Sequence, residues 1–196
     1  MNKRLFIVAF TVIVTAGFVA PISLAYLLTK PRVDLNEQVF LMRSVLAAAG
    51  IPLPASPAEV VRVFGERAEE APGKDGGPAY YRIKDGSGGL SGYVFIRSGP
   101  GLWGEITAAV GFDRSLQKLT GVDFLKQSET PGLGARISEA WFREQFRGKR
   151  GPLAPVAEGQ SAGENQFDAI TGATLTTGFV KDILNATFSR VKDLVD

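Results

Sequence analysis

The sequence predicts an α+β protein, with an N-terminal transmembrane helix followed by an antiparallel sheet packed with helices. Three observations predict it. The chain opens with 24 uncharged residues, 5–28. Its middle holds β-patterned runs separated by glycine-rich turns, and its last twenty residues carry a helical apolar stripe. These features divide the 196 residues into a membrane anchor (1–32), a helical linker region (33–78) and a folded domain (79–196).

The first element follows from length and solvent. As a helix, residues 5–28 span about 36 Å, against about 30 Å of bilayer hydrocarbon. Pro21 is tolerated within such a span, and Tyr26 suits an interfacial position. A cleaved signal peptide, with its processing site at the "SLA" of residues 23–25, is the alternative reading. Lys3 and Arg4 face Lys30 and Arg32 across the span. The free amino terminus favours N-inside, with the domain outside the cytoplasm.

A helix is then expected from Asp34 and Glu37, a D-x-x-E opening, to Gly50. A second, over "SPAEVVRVFGERAEE", has Ser56 as N-cap, Pro57 at its first position and Glu59 closing a capping box. Proline-bearing links, "IPLPA" and "APGKDGGPA", bracket it. "AYYRI", "LSGYVFIRS", "LWGEITAAVGFD" and "KLTGVDFLKQ" alternate with turns and read as an antiparallel meander. "SEAWFREQFRG" is a short helix with Ser138 as cap and Gly148 as stop. Residues 148–166 form a long Gly/Pro-rich loop, of a length that is usually functional or mobile. The final helix, about 178–194, places Val180, Ile183, Leu184, Phe188 and Val191 on one core-facing stripe.

Composition excludes much chemistry. The chain has no cysteine and no histidine. Disulfides, thiolate metal sites, imidazole ligation and a Ser-His-Asp triad are therefore absent, and redox chemistry would need a bound organic cofactor. No acidic cluster has metal-ligand spacing. Of 22 basic residues, removing Lys3 and Arg4 leaves 20 against 20 acidic ones. A neutral domain without an obvious basic stripe is a poor nucleic-acid binder, and that class is set aside.

Three stretches carry candidate chemistry. In "DAITGATLTT", Asp168 precedes four threonines at 171, 174, 176 and 177. Gly172 and Ala173 leave room for a ligand to approach the backbone, and the helix behind them offers unpaired N–H groups to a phosphate. Helix capping alone is the plainer reading of these threonines. In "ETPGLG", Glu129 and Thr130 lead into a loop fixed by Pro131, Gly132 and Gly134. Leu133 projects from it, either to cover a flat ring or as part of a simple connecting turn. In "GPGLWG", Leu102 and Trp103 begin a strand; Trp103 is read as either core or a cofactor contact.

In this order and approximate spacing, the three stretches resemble the FMN-binding domain family. Its best-known members are the G subunit of the Rnf electron-transport complex and the C subunit of the sodium-translocating NADH:quinone oxidoreductase (Nqr). The resemblance covers residues 92 to the C-terminus, and the helix ending "AAAGI" extends it. It implies FMN joined through its phosphate to the threonine that closes D-x-x-[ST]-G-A-T. That threonine is Thr174; Asp168 opens the motif and Thr171 fills its [ST] position. A dedicated flavin transferase makes the phosphoester. Gly172 and Ala173 admit the phosphate, Thr176 serves as a phosphate or cap contact, and Glu129, Thr130, Leu133, Gly134 and Trp103 lie near the flavin. Many Rnf-type members carry a histidine shortly before the position of Glu129, where this chain has Gln127 and Ser128. The expected protein is a single-pass subunit of the bacterial inner membrane. It relays electrons among other membrane subunits of a Rnf/Nqr-type ion-translocating complex rather than acting as an enzyme alone. The alternatives are a stand-alone extracytoplasmic flavoprotein reductase or redox sensor, and a non-enzymatic anchored binding domain.

Overall fold

The computed structural model describes residues 2–74 and 79–195. Part of the predicted link "APGKDGGPA", residues 75–78, lies outside the described residues. The chain divides into two compact units, Met1–Val39 and Phe40–Asp196.

Helix α1 (Lys3–Ala48) is continuous, where the sequence predicts a break between anchor and second helix. Pro21 and Pro31 both lie inside it. Beside Pro31 the Thr29 hydroxyl donates to the Ala25 carbonyl at 2.8 Å, so side-chain bonding accompanies the ring's interruption of the backbone ladder. Within the first unit, α1 contains an 18-residue window of mean hydropathy 2.5 whose residues are unburied. Among the described residues it is long and apolar enough to cross a membrane.

In the second unit, Gly50 ends α1 as expected, at φ +76°, with Ile51 N–H closing back onto Leu46 O. Helix α2 (Pro57–Arg67) begins at Ser56, whose hydroxyl accepts from Glu59 N–H. It stops at Arg67. The next residues, predicted as helix, form strand β1 (Ala68–Ala71) on the edge of the sheet. There Glu69 pairs with Lys84 at 2.8 Å, and cross-strand pairing overrides the helical propensity of "AEEA".

Among the described residues, β1 is followed by β2 (Tyr80–Lys84), β3 (Leu90–Pro100), β4 (Glu105–Asp113) and β5 (Leu119–Lys126). They pair antiparallel in the order β1-β2-β3-β4-β5. This is the predicted meander, and with the helices it makes the predicted α+β fold. One sheet face carries Phe95, Ile106, Ala108, Val110 and Phe112 into the main core. The other carries Val94 and Ala109 against Val45 and Ala48 of α1 and Phe64 of α2. Burial on both faces is why β4 shows only weak alternation.

Beyond β5, a 3-10 turn (Gly134–Ser138) precedes helix α3 (Ala140–Glu144). Ser138 ends the turn instead of capping the helix; Glu139 occupies the cap position without a side-chain bond. The predicted long loop holds strand β6 (Ala154–Val156) and leads into β7 (Gln166–Asp168), which pairs with it in a parallel two-stranded ladder. Three-residue strands give too short a pattern to read. Helix α4 (Thr174–Leu194) begins one turn before the predicted start, with Ala173 as its N-cap. Val180, Ile183, Leu184 and Val191 bury its stripe in the main core.

Candidate functional site

The beginning of α4, the 3-10 turn and the β3–β4 connection meet around a pocket of about 220 Å3. Glu129, Thr130, Leu133, Gly134, Gly172, Ala173, Thr174 and Thr176 line it, together with Leu102 and Leu175. Three motifs far apart in the sequence thus converge on one place.

Glu129 holds them together. Its side chain is buried. One carboxylate oxygen accepts from Leu102 N–H at 2.8 Å and Trp103 N–H at 3.4 Å. The other accepts from the Thr176 hydroxyl at 2.5 Å. A carboxylate offers several acceptor sites and here spends them on two elements at once. Gly134 is required beside it: a Cβ there would stand 2.5 Å from Thr176 Oγ1 and 2.8 Å from Glu129 Oε2.

The four threonines have separate fates. Thr176 is buried and bonded to Glu129. Thr177 is buried, donates to Ala173 O and accepts from Ile170 N–H. Thr171 N–H donates to Glu158 at 3.0 Å. That bond, the Thr171 hydroxyl and the Arg136 guanidinium hold the Glu158 carboxyl down to about 2. Thr174 is exposed, lines the pocket and is the first residue of α4. Because the first helical bond runs from Thr177 N–H to Ala173 O, the N–H groups of Thr174, Leu175 and Thr176 have no helical acceptor. They face the helix start, where the dipole favours an anion.

Asp168 stands apart from the pocket lining. Its carboxylate accepts from Ser161 N–H at 2.7 Å and Gln160 N–H at 3.1 Å, while Gln145 brackets its backbone. It fixes the long loop to the end of β7. The Trp103 side chain is 68% exposed, so it is not core; its backbone reaches the site through Glu129. Leu102 and Leu175, 46% and 60% exposed, line the pocket with Leu133. Leu102 stands in the "GPGLWG" stretch, beside the larger Trp103. Leu175 has no sequence signal beyond its place in the threonine motif.

A family model described as "FMN-binding domain" matches residues 101–189. The G subunit of the ion-translocating oxidoreductase complex of Methanosarcina acetivorans is 32% identical over 185 residues, covering 92% of this chain and 90% of that protein. The chain belongs to the FMN-binding domain family. Another relative, the C subunit of the Na(+)-translocating NADH-quinone reductase of Vibrio vulnificus, is 31% identical over 109 residues, covering 52% of this chain and 42% of that protein. The crystal structure of the corresponding Parabacteroides distasonis protein is 26% identical, with a TM-score of 0.70 over 85% of this chain and 97% of that one.

The residues present fit FMN. The phosphate has a helix start with free N–H groups. Gly172, at φ +79°, adopts a backbone conformation that side chains disfavour. The isoalloxazine has exposed leucines to lie against. The volume of about 220 Å3 is below the roughly 300–1,000 Å3 of pockets that enclose whole small ligands. A pocket of that size has room for only part of an FMN molecule.

Proposed function

We propose that this chain is the FMN-carrying electron-transfer subunit of a Rnf- or Nqr-type ion-translocating oxidoreductase. FMN is attached through its phosphate to Thr174 Oγ1. Helix α1 anchors the chain in the cell membrane, and the FMN domain lies on the extracytoplasmic side. The observation that carries the attachment site is the division among the threonines. The hydroxyls of Thr176 and Thr177 are committed to internal bonds, whereas Thr174 is exposed at both the pocket and the helix start.

FMN, when bound, supplies reversible one- and two-electron redox chemistry. The chain supplies position and environment. The N–H groups of Thr174, Leu175 and Thr176 hold the phosphate, and Leu102, Leu133 and Leu175 exclude water from one side. Glu129 fixes the "GPGLWG" turn against α4. A pocket too small to retain the cofactor by burial alone is consistent with a covalent tether and with a flavin transferase that needs access to Thr174. Partners would be the other membrane subunits of the complex.

The test is co-expression with a flavin transferase, followed by intact mass and in-gel fluorescence of the denatured protein. Wild type should be fluorescent and heavier by FMN less one water. Thr174→Ala should be dark and of unmodified mass, with its circular dichroism unchanged. A fluorescent Thr174→Ala band that loses its flavin on replacing Thr171 or Thr176 would refute the assignment. Co-purification of membrane subunits in mild detergent tests membership of a complex.

A further inference from the structure

Farther along α4 lies a second pocket, which shares no lining residue with the proposed flavin site. It encloses about 380 Å3 between the last residues of β3 and the helix, with Arg97, Ser98, Thr187 and Arg190 among its lining. Thr187 lies thirteen residues beyond Thr174 on α4, or roughly 20 Å along the axis at 1.5 Å per residue. This region of β3 lies past Phe95, the last residue paired with β2.

Two arginines share this pocket. Arg62, Arg136, Arg143, Arg147 and Arg150 each meet a carboxylate. Among the described residues, Arg97 and Arg190 are among the arginines that do not, and these two line the same pocket. Arg97 packs its guanidinium over the Phe95 ring at 5.5 Å. Its Nη2 is buried and has no hydrogen-bond partner among the described residues. Burial, followed by the charge of Arg190, pushes the Arg97 guanidinium below its ordinary value. A protein that places two like charges around one concavity, with an orphaned donor, carries a cost that an anion would relieve.

The floor narrows the ligand class. Ile96, Ile183 and Ala186 are apolar, the Thr187 hydroxyl is spent on Ile183 O, and the Ser98 hydroxyl pairs with Thr107 Oγ1 at 2.9 Å. Binding must therefore come mainly from the guanidiniums. Two guanidiniums match a dianion with several oxygens better than a single carboxylate, which neutralises one of them.

We propose that the Arg97–Arg190 pocket is a binding site for a phosphate group. The group belongs either to a free phosphate species or to an anionic lipid headgroup, and the site is separate from the flavin site.

The experiment is calorimetric titration of the full chain in nonionic detergent, at ionic strength held constant with chloride. The probes are inorganic phosphate and dihexanoyl phosphatidic acid. Variants are Arg190→Gln, at an exposed position, Arg97→Gln and Thr174→Ala, with near-ultraviolet circular dichroism reporting the fold. Wild type and Thr174→Ala should bind a phosphate probe equally. Arg190→Gln should weaken that binding at least tenfold with the fold unchanged, and Arg97→Gln should do the same. A phosphatidic acid affinity at least tenfold above that of phosphate assigns a lipid source; equal affinities assign a free phosphate species. Absence of binding by both probes, or unaltered binding by Arg190→Gln, overturns the proposal. So does a loss in Arg190→Gln of co-purifying subunits without any phosphate binding in wild type, which would assign the pair to an acidic protein surface.

Discussion

Glu129 is the residue on which the site depends most directly. Glu129→Ala leaves the Thr176 hydroxyl without its acceptor in a buried place and releases the Leu102 and Trp103 N–H groups. We expect a loss of about 2 kcal/mol, measured by denaturant unfolding in detergent. Glu129→Gln keeps an oxygen for the backbone donors and presents an amide to the Thr176 oxygen, so it should lose less than half as much. Glu158 acts at the other side of the motif. Its folded value of about 2 lies below the ordinary 4.5. Depression of an acid's value means that its stabilising contribution is full above about 4.5 and is lost as pH falls toward about 2. Protection of the Thr171 amide from hydrogen exchange, corrected for intrinsic rate, should fall through that window. In Glu158→Gln it should already be low at neutral pH.

At the scale of elements, the join between β4 and the end of α1 is the tightest. A Cβ on Gly111 would stand 2.0 Å from the Ala48 carbonyl oxygen and 2.4 Å from Thr120 Oγ1. The Ala48 carbonyl is itself capped by the Thr120 hydroxyl at 2.7 Å. Gly111→Ala must therefore displace backbone, and we expect about 3 kcal/mol of destabilisation in thermal or denaturant unfolding. Gly65→Ala is the control, because a Cβ there meets nothing within 4 Å. This close approach also shows what the sequence made legible and what it did not. The meander, Ser56 as a cap and the stripe of α4 follow from local pattern and turn chemistry. Strand β1 does not, because "AEEA" has no β signal until β2 lies beside it. Strands β6 and β7 are only three residues each. The convergence of the three motifs was legible through family resemblance, whereas the roles of Leu102, Leu175 and the Glu129–Thr176 bond depend on tertiary contacts. The Arg97–Arg190 pair is invisible in sequence for the same reason, since the two residues meet only when β3 packs on α4.

At the scale of the molecule, the unburied apolar window of α1 and the neutral charge balance of the rest predict how the protein behaves in a cell. The full chain should stay in the membrane pellet through high-salt and alkaline washes and leave it only with detergent. A version lacking residues 2–32 should appear in the soluble fraction. Release of the full chain by alkali alone would refute the anchor. The position of Thr174 has a further consequence. It is not on a free loop but on the first residue of a 21-residue helix, with Val180, Leu184 and Val191 of the same helix locked in the core. A cofactor fixed there cannot swing between donor and acceptor as a group on a long flexible side chain does. Traffic must come to it, or the folded body must travel as one piece, and the spacing of the redox stations becomes a property of the assembly rather than of the tether.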